Sequence, residues 1–314
     1  MKWLCLVFLA FLVSVAQAAE NRALFSDPAF EAKLESLFTP GRDLAGIKFN
    51  VDQMADPAAD VAAAAAELDR LTQALREMMA GAQTSAEKLT VLKRLIYEAG
   101  PWNDNRPFAY DMTDPLGKMP ANRYLHNYLA SRRGNCVTMP ILFTILGKRI
   151  GLNLTLAEAP LHLLVKYTND DGAVWNLEPT SGGGFVRDSR YREMLPMTDK
   201  AVEEGTYLRP LPREEAVTLI VLQAAETHMR AGRYEQAVIA ANVLLRHFPR
   251  FAHAMVVKGS SYSMILRRDI LAKYAREIDM TPEVSAYAGM LYFESQSAFA
   301  GAEALGWTER DGLK

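Results

Sequence analysis

Arg132-Arg133-Gly134-Asn135-Cys136-Val137-Thr138-Met139-Pro140 is the stretch on which the reading of this 314-residue chain turns. It runs directly into an apolar segment, Ile141 to Ile150. Asn135 is a good N-cap, since its side-chain oxygen accepts from the N–H groups of a first helical turn. Cys136 then stands first in the helix. Pro140 falls in the opening turns, where a missing N–H costs little. Gly134 permits a tight turn ahead of the cap, and Gly151 ends the helix. A cysteine at a helix start lies in the field of the positive helix end, which favours the thiolate. The segment therefore predicts a nucleophile seated on a buried helix.

The chain has two cysteines, and the other is Cys5. Lys2, the apolar run Trp3–Val15 and the small-x-small site Ala16-Gln17-Ala18 form a leader. Cleavage after Ala18 is expected, and with it a periplasmic or secreted protein. The apolar run is shorter than the roughly 20 residues of a membrane span, and no later stretch is long and apolar enough. Cleavage removes Cys5 and leaves Cys136 with nothing to pair with. An odd cysteine in an exported chain is buried and inert, or reactive.

Downstream of the cysteine, Asn153–Glu158, Leu161–Thr168 and Ala173–Leu177 read as strands. Asn169-Asp170-Asp171-Gly172 is a turn signal between the last two. A three-residue turn, Asn169 to Asp171, sets His162 opposite Glu178 and Leu164 opposite Asn176. Directly opposed residues have Cβ atoms about 4.5–5.5 Å apart. His162 is then the candidate base for Cys136. Glu178 is the candidate orienter of the imidazole, with Asn176 as a second. The Cys136 N–H is one candidate oxyanion donor, and Asn127 and Asn135 are candidates for another.

Upstream, Ser26-Asp27-Pro28 opens a short helix through about Leu37. Asp56-Pro57 repeats the signal ahead of an Ala/Leu/Glu/Arg-rich helix over 58–80. Thr84 and Glu87 form a capping box before Leu89, Leu92, Leu95 and Ile96, which share one helical face. Residues 102–120 read as a loop, and Leu125–Leu129 as a short helix. Thr180–Gly184 is a flexible loop without the spacing of a phosphate cradle, so it has no nucleotide role.

From Glu214 the chain reads as helical to its end. Gly232-Arg233-Tyr234, Ala237 and Pro249, then Gly259, Tyr262 and Pro282, follow the spacing of tetratricopeptide repeats. His228, His247 and His253 in this region read as packing or solvated residues. His126 has no ligand-like partner at useful spacing, so neither a metal nor a cofactor is expected. A formal net charge of −2 with no Lys/Arg stripe argues against nucleic acid as a partner.

Arg133-Gly134-Asn135-Cys136, the Arg149/Gly151-Leu152 helix end, Ala159-Pro160-Leu161-His162 and Trp175-Asn176-Leu177-Glu178-Pro179-Thr180 together resemble the transglutaminase-like superfamily. Asn122-Arg123-Tyr124-Leu125 extends the resemblance to a bacterial branch with C-terminal tetratricopeptide repeats. The resemblance implies an α+β fold with a papain-like core, the Cys on a helix and the His and acid on adjacent strands. This chain has Glu178-Pro179-Thr180 where the superfamily usually has Asp-Pro-Thr. The expected organisation is a signal peptide (1–18), an N-terminal helical segment (19–100), a transglutaminase-like core (101–212) and a repeat-like helical domain (213–314). The expected function is cysteine-dependent acyl transfer on a protein or peptide substrate positioned by the repeats. A reading from another class is a non-catalytic interaction scaffold of the envelope on the same fold. Redox sensing by Cys136 is a third, weakened by the lack of a resolving cysteine.

Overall fold

The structure, a computed structural model, describes residues 25–309 apart from Leu116. The expected leader and Cys5 lie outside the described residues. Helix α1 (Pro28–Glu35) starts as its sequence dictates. Asp27 caps it, accepting from the Phe30 N–H at 3.1 Å, and Pro28 takes the first position. Helix α2 (Leu44–Ala55) was not expected from the sequence. Helix α3 (Val61–Met78) is capped by Asp60, which accepts from the Ala63 N–H at 2.9 Å. It starts later than the Asp56-Pro57 signal suggested, because Asp56 instead closes a local turn on the Ala58 N–H at 3.2 Å. Helix α4 (Ser85–Tyr97) has the expected capping box and buries Leu89, Leu92, Leu95 and Ile96.

Strand β1 (Ala109–Tyr110) pairs in parallel with β2 (Arg133–Gly134) across the short helix α5 (Leu125–Ser131). Helix α6 (Thr138–Arg149) follows at once. Its residues are buried without a break from Thr138 to Gly147, so it is a core helix, apolar all round. Strands β3 (Asn153–Ala159), β4 (His162–Thr168), β5 (Val174–Glu178) and β6 (Gly184–Val186) form an antiparallel meander in chain order. Helix α6 lies against β3 and β4. Gly147 allows the close approach, since a Cβ there would sit 2.2 Å from the Leu154 side chain.

Two short helices, α7 (Asp188–Met194) and α8 (Asp199–Glu203), return the chain to the C-terminal helices α9 (Arg213–Arg230), α10 (Tyr234–His247), α11 (Ala252–Leu266) and α12 (Pro282–Ala304). Each of these packs on the next. The helical run is interrupted between α11 and α12 by a π turn at Arg267–Leu271 and a single 3-10 turn at Glu277–Asp279.

One hydrophobic core runs from α1 to α11, while α12 packs through smaller clusters of its own. Leu34, Leu68, Phe143, Leu154, Val217 and Val243 belong to the same buried cluster. A buried polar network reinforces it. Lys48 Nζ donates to Asp52, to the Arg123 carbonyl at 2.8 Å and to Gln223 Oε1 at 2.7 Å. The other Asp52 oxygen accepts from the Leu125 N–H at 2.6 Å and so caps α5 from across the fold. Burial pulls the Lys48 pKa down, and it pushes that of Asp52 up, but Lys48, His126 and Gln223 together outweigh it and hold Asp52 below the usual carboxylate value.

The β4–β5 register differs from the expectation by two residues. Val165 pairs with Leu177, and Lys166 with Asn176. The connection spans Asn169 to Ala173, because Asn169 Oδ1 accepts from the Asp171 and Ala173 N–H groups at 3.1 and 2.8 Å and holds a wider loop. Strand side chains alternate faces with a period of two, so a slip of two leaves His162 and Glu178 on one face. They meet diagonally rather than directly, a separation that a long side chain spans.

Candidate functional site

Cys136 occupies the turn that leads into α6, two residues ahead of the helix start at Thr138 rather than first in the helix as expected. Asn135 caps that turn as expected. Its Oδ1 accepts from the Val137 and Thr138 N–H groups at 2.9 and 3.3 Å, while Thr138 Oγ1 accepts from the Asn135 N–H at 3.1 Å. The cap thus uses the N–H groups of Val137 and Thr138 and leaves that of Cys136 for another acceptor. Gly134 is required for a reason other than turn geometry. A Cβ there would lie 2.6 Å from both Thr138 Oγ1 and the Tyr128 ring. The left-handed backbone belongs to Arg132, with φ 62°.

A tight turn at Pro160-Leu161 joins β3 to β4, with Ala159 paired to His162 and Leu161 at φ 55°. A non-glycine residue at positive φ is uncommon and marks a constrained site. The turn lies beside the thiol. Cys136 Sγ donates to the Leu161 carbonyl at 3.5 Å, and the Cys136 carbonyl accepts from the Leu163 N–H at 3.4 Å.

His162 Nε2 lies 2.7 Å from Glu178 Oε2. The Cys136 side chain lies near enough to the ring to favour its protonated form. With Nε2 committed to the carboxylate, Nδ1 is the nitrogen left for sulfur. Burial pulls the His162 pKa down, but the hydrogen bonds and charges of Cys136 and Glu178 outweigh it and raise it to about 9. Glu178 is held in turn. Tyr191 Oη donates to Oε2 at 2.8 Å, the Thr180 N–H donates to Oε1 at 3.0 Å, and the Thr180 hydroxyl reaches the same oxygen. Burial pushes Glu178 up, yet His162, Thr180 and Tyr191 together keep its pKa below the usual carboxylate value. Tyr97 Oη anchors the following residue by donating to the Pro179 carbonyl at 2.7 Å.

The structure therefore brings Cys136, His162 and Glu178 together. Asn176 takes no part. Its amide donates to the Val186 carbonyl at 3.0 Å and to Asp188 at 2.6 Å. Asn127 is likewise committed, to the Ala121 carbonyl at 3.3 Å. Asn135 lines the cavity, with its amide nitrogen on the side of Gly117. Sequence reasoning missed Thr180 and Tyr191 as holders of the acid. Thr180 had a signal in its contiguity with Glu178-Pro179, whereas Tyr191 lies on α7, a helix the sequence did not reveal.

Cys136 and His162 line a cavity of about 550 Å³. The loop from Tyr110 to Pro120 borders it, ordered by Asp114, which accepts from the Lys118 and Met119 N–H groups at 2.8 and 2.9 Å. Helices α9 and α11 contribute Leu219, Leu222, Glu226, Arg230 and His253 to the same cavity. Among the described residues no group of three or more His, Cys, Asp or Glu side chains is arranged to hold a metal ion. No helix among them is long and apolar enough to cross a membrane.

The family model of the transglutaminase-like superfamily matches residues 62–221, half of the chain. That span holds Cys136, His162 and Glu178 together with α3 to α8 and the first half of α9. Two curated relatives, each named UPF0162 protein, come from Xylella fastidiosa strains 9a5c and Temecula1. Each is 22% identical over 215 residues, covering 65% of this chain and 73% of the relative. No solved structure matches.

Proposed function

The chain belongs to the transglutaminase-like superfamily, and from that premise we propose that it is a cysteine-dependent acyl-transfer enzyme. The observation that carries this reading is the relay from the Cys136 thiol through the His162 ring to Glu178, at the wall of a cavity of about 550 Å³. In the reaction His162 takes the thiol proton, and the thiolate attacks the carbonyl carbon of an amide. The oxyanion that forms takes the Cys136 N–H, with the Asn135 amide beside it as the second donor. Collapse breaks the C–N bond, and His162 returns the proton to the departing amine. The product is a thioester on Cys136 and a free amine. Water or a second amine then attacks the thioester and restores the thiol. Glu178 stays ionised throughout, orienting the ring and stabilising the imidazolium.

The leader signature extends the proposal to an exported enzyme, periplasmic or secreted, whose C-terminal helices position a protein or peptide substrate. The test is alkylation of Cys136 by iodoacetamide across pH in the mature protein and in His162→Ala. A shared ordinary thiol profile in both proteins would end the nucleophile reading.

A non-catalytic envelope scaffold is the second reading. It is favoured by one feature, the exposed aromatic pair Trp175 on β5 and Phe185 on the edge strand β6, with ring centroids 5.6 Å apart. Complementation of a deletion strain by Cys136→Ala separates the two readings, since a scaffold keeps its function without the thiol.

A further inference from the structure

The cavity that holds Cys136 also holds a charged cluster that the acyl-transfer chemistry does not use. Arg123 precedes α5, and Glu226 and Arg230 lie on α9. One oxygen of Glu226 takes both arginines, Arg123 at 2.6 Å and Arg230 at 3.0 Å. The other oxygen lies 3.4 Å from His253 Nε2, and His253 Nδ1 lies 3.2 Å from Glu158. An imidazole with a carboxylate at each nitrogen is favoured in its protonated form. Lys118 lines the same cavity. Four cationic side chains thus face two carboxylates, so the wall has a cationic surplus.

The arginines are not saturated by the protein. The Arg123 Nε–H is buried and has no acceptor. Arg230 is exposed, so the guanidinium N–H donors that Glu226 does not take are open to a ligand oxygen in the cavity. Guanidinium groups suit planar carboxylates because they offer parallel N–H donors. Glu226 is itself buried and fixes both arginines through one oxygen, so the pair is set in place before a ligand arrives. Leu219 and Leu222 from the same helix give the wall its apolar part.

We propose that Arg123 and Arg230, positioned by Glu226, form a carboxylate-binding subsite of this cleft, so that the acyl substrate brought to Cys136 carries a free carboxylate. The proposal rests on Cys136 being the nucleophile. It makes helix α9 a specificity element of the cleft.

Paired alkylation rates test it. Iodoacetate carries a carboxylate, and iodoacetamide is its neutral counterpart. The wild-type protein is expected to react with iodoacetate at a rate that saturates with concentration, and succinate is expected to protect against it while succinamide does not. In Arg230→Gln the ratio of iodoacetate to iodoacetamide rates is expected to fall at least five-fold, and Arg230→Lys to recover part of it. Arg230 is partly exposed, so its variants test the subsite without emptying the core; circular dichroism checks their fold. Two results would overturn the proposal. One is a rate linear in iodoacetate with no succinate protection in the wild type. The other is a ratio unchanged in Arg230→Gln, which assigns the anion preference to the His162 imidazolium alone. Failure of the nucleophile reading looks different, as iodoacetamide itself would then react like an ordinary thiol reagent.

Discussion

The carbonyl of Cys136 accepts from the N–H of Leu163 at 3.4 Å, in the place where a helical N–H from position 140 would bind if that residue were not proline. The proline leaves a helix-start carbonyl unclaimed. The first residues of β4 claim it, which ties the thiol-bearing turn to the strand that begins with His162. Pro140→Ala supplies a competing N–H inside the helix. The expected result is an alkylation rate at neutral pH several-fold below wild type with the melting temperature little changed, read by iodoacetamide kinetics alongside calorimetry.

Glu178→Gln keeps the shape of the acid and removes its charge. The His162 pKa, raised to about 9 in the native protein, is expected to fall toward its ordinary 6.5. Loss of the orienting charge is expected to lower turnover by up to about 10⁴-fold, the loss that follows replacement of the acid by its amide in such sets. The pair also links stability to pH. A raised His162 stabilises fully below about pH 6.5 and loses that contribution as pH rises through about 9. A lowered Glu178 stabilises above its ordinary 4.5 and loses that contribution as pH falls. Urea unfolding of both proteins from about pH 5 to 10 is expected to show the widest gap near pH 5–6.5 and a narrow one at the alkaline limit.

Gly134→Ala places a methyl group against Thr138 Oγ1 and the Tyr128 ring, both 2.6 Å away. Overpacking of this kind costs about 1–3 kcal/mol. Because Thr138 also completes the cap around Cys136, the variant is expected to lose thiol reactivity as well as stability. A melting temperature equal to wild type would contradict the packing argument.

Asp52→Asn leaves the fully buried Lys48 without its carboxylate. Breaking a buried pair by removing one partner costs about 3–5 kcal/mol. Asp52→Asn is therefore expected to be the most destabilised of these variants by denaturant titration. Lys48→Met together with Asp52→Leu is expected to recover much of the loss, since apolar replacement of both partners removes the uncompensated charge.

Much of the site was legible in the sequence because its signals are local. The Asn135 cap needs only neighbours. The shared face of His162 and Glu178 needs only parity, which survived a register misread by two residues. That misread came from the Asn169 side chain, which stabilises a wider loop through bonds that no turn dipeptide announces. The diagonal distance suits a glutamate, whose extra methylene gives the needed reach, so the departure from Asp-Pro-Thr fits the register observed. Helix α2 was illegible because Lys48 and Asp52, polar in sequence, occupy its buried face and break the apolar periodicity. Strand β6 was hidden because it is three residues long and begins at Gly184. The residues of α9 and α11 that reach the cavity carry no sequence mark, since their placement depends on how distant helices dock.

The apolar core shared by the sheet and the first C-terminal helices has a practical meaning for anyone dissecting this molecule. Cutting the chain near Pro212 would not release an independent helical module from an intact transglutaminase-like core. It would strip Val217 and Val243 from the cluster shared with Leu154 and Phe143 and expose the back of the sheet that holds His162. Deletion phenotypes of the C-terminal helices therefore report on the half that holds Cys136 and His162 as well, and only point substitutions can tell recruitment from collapse.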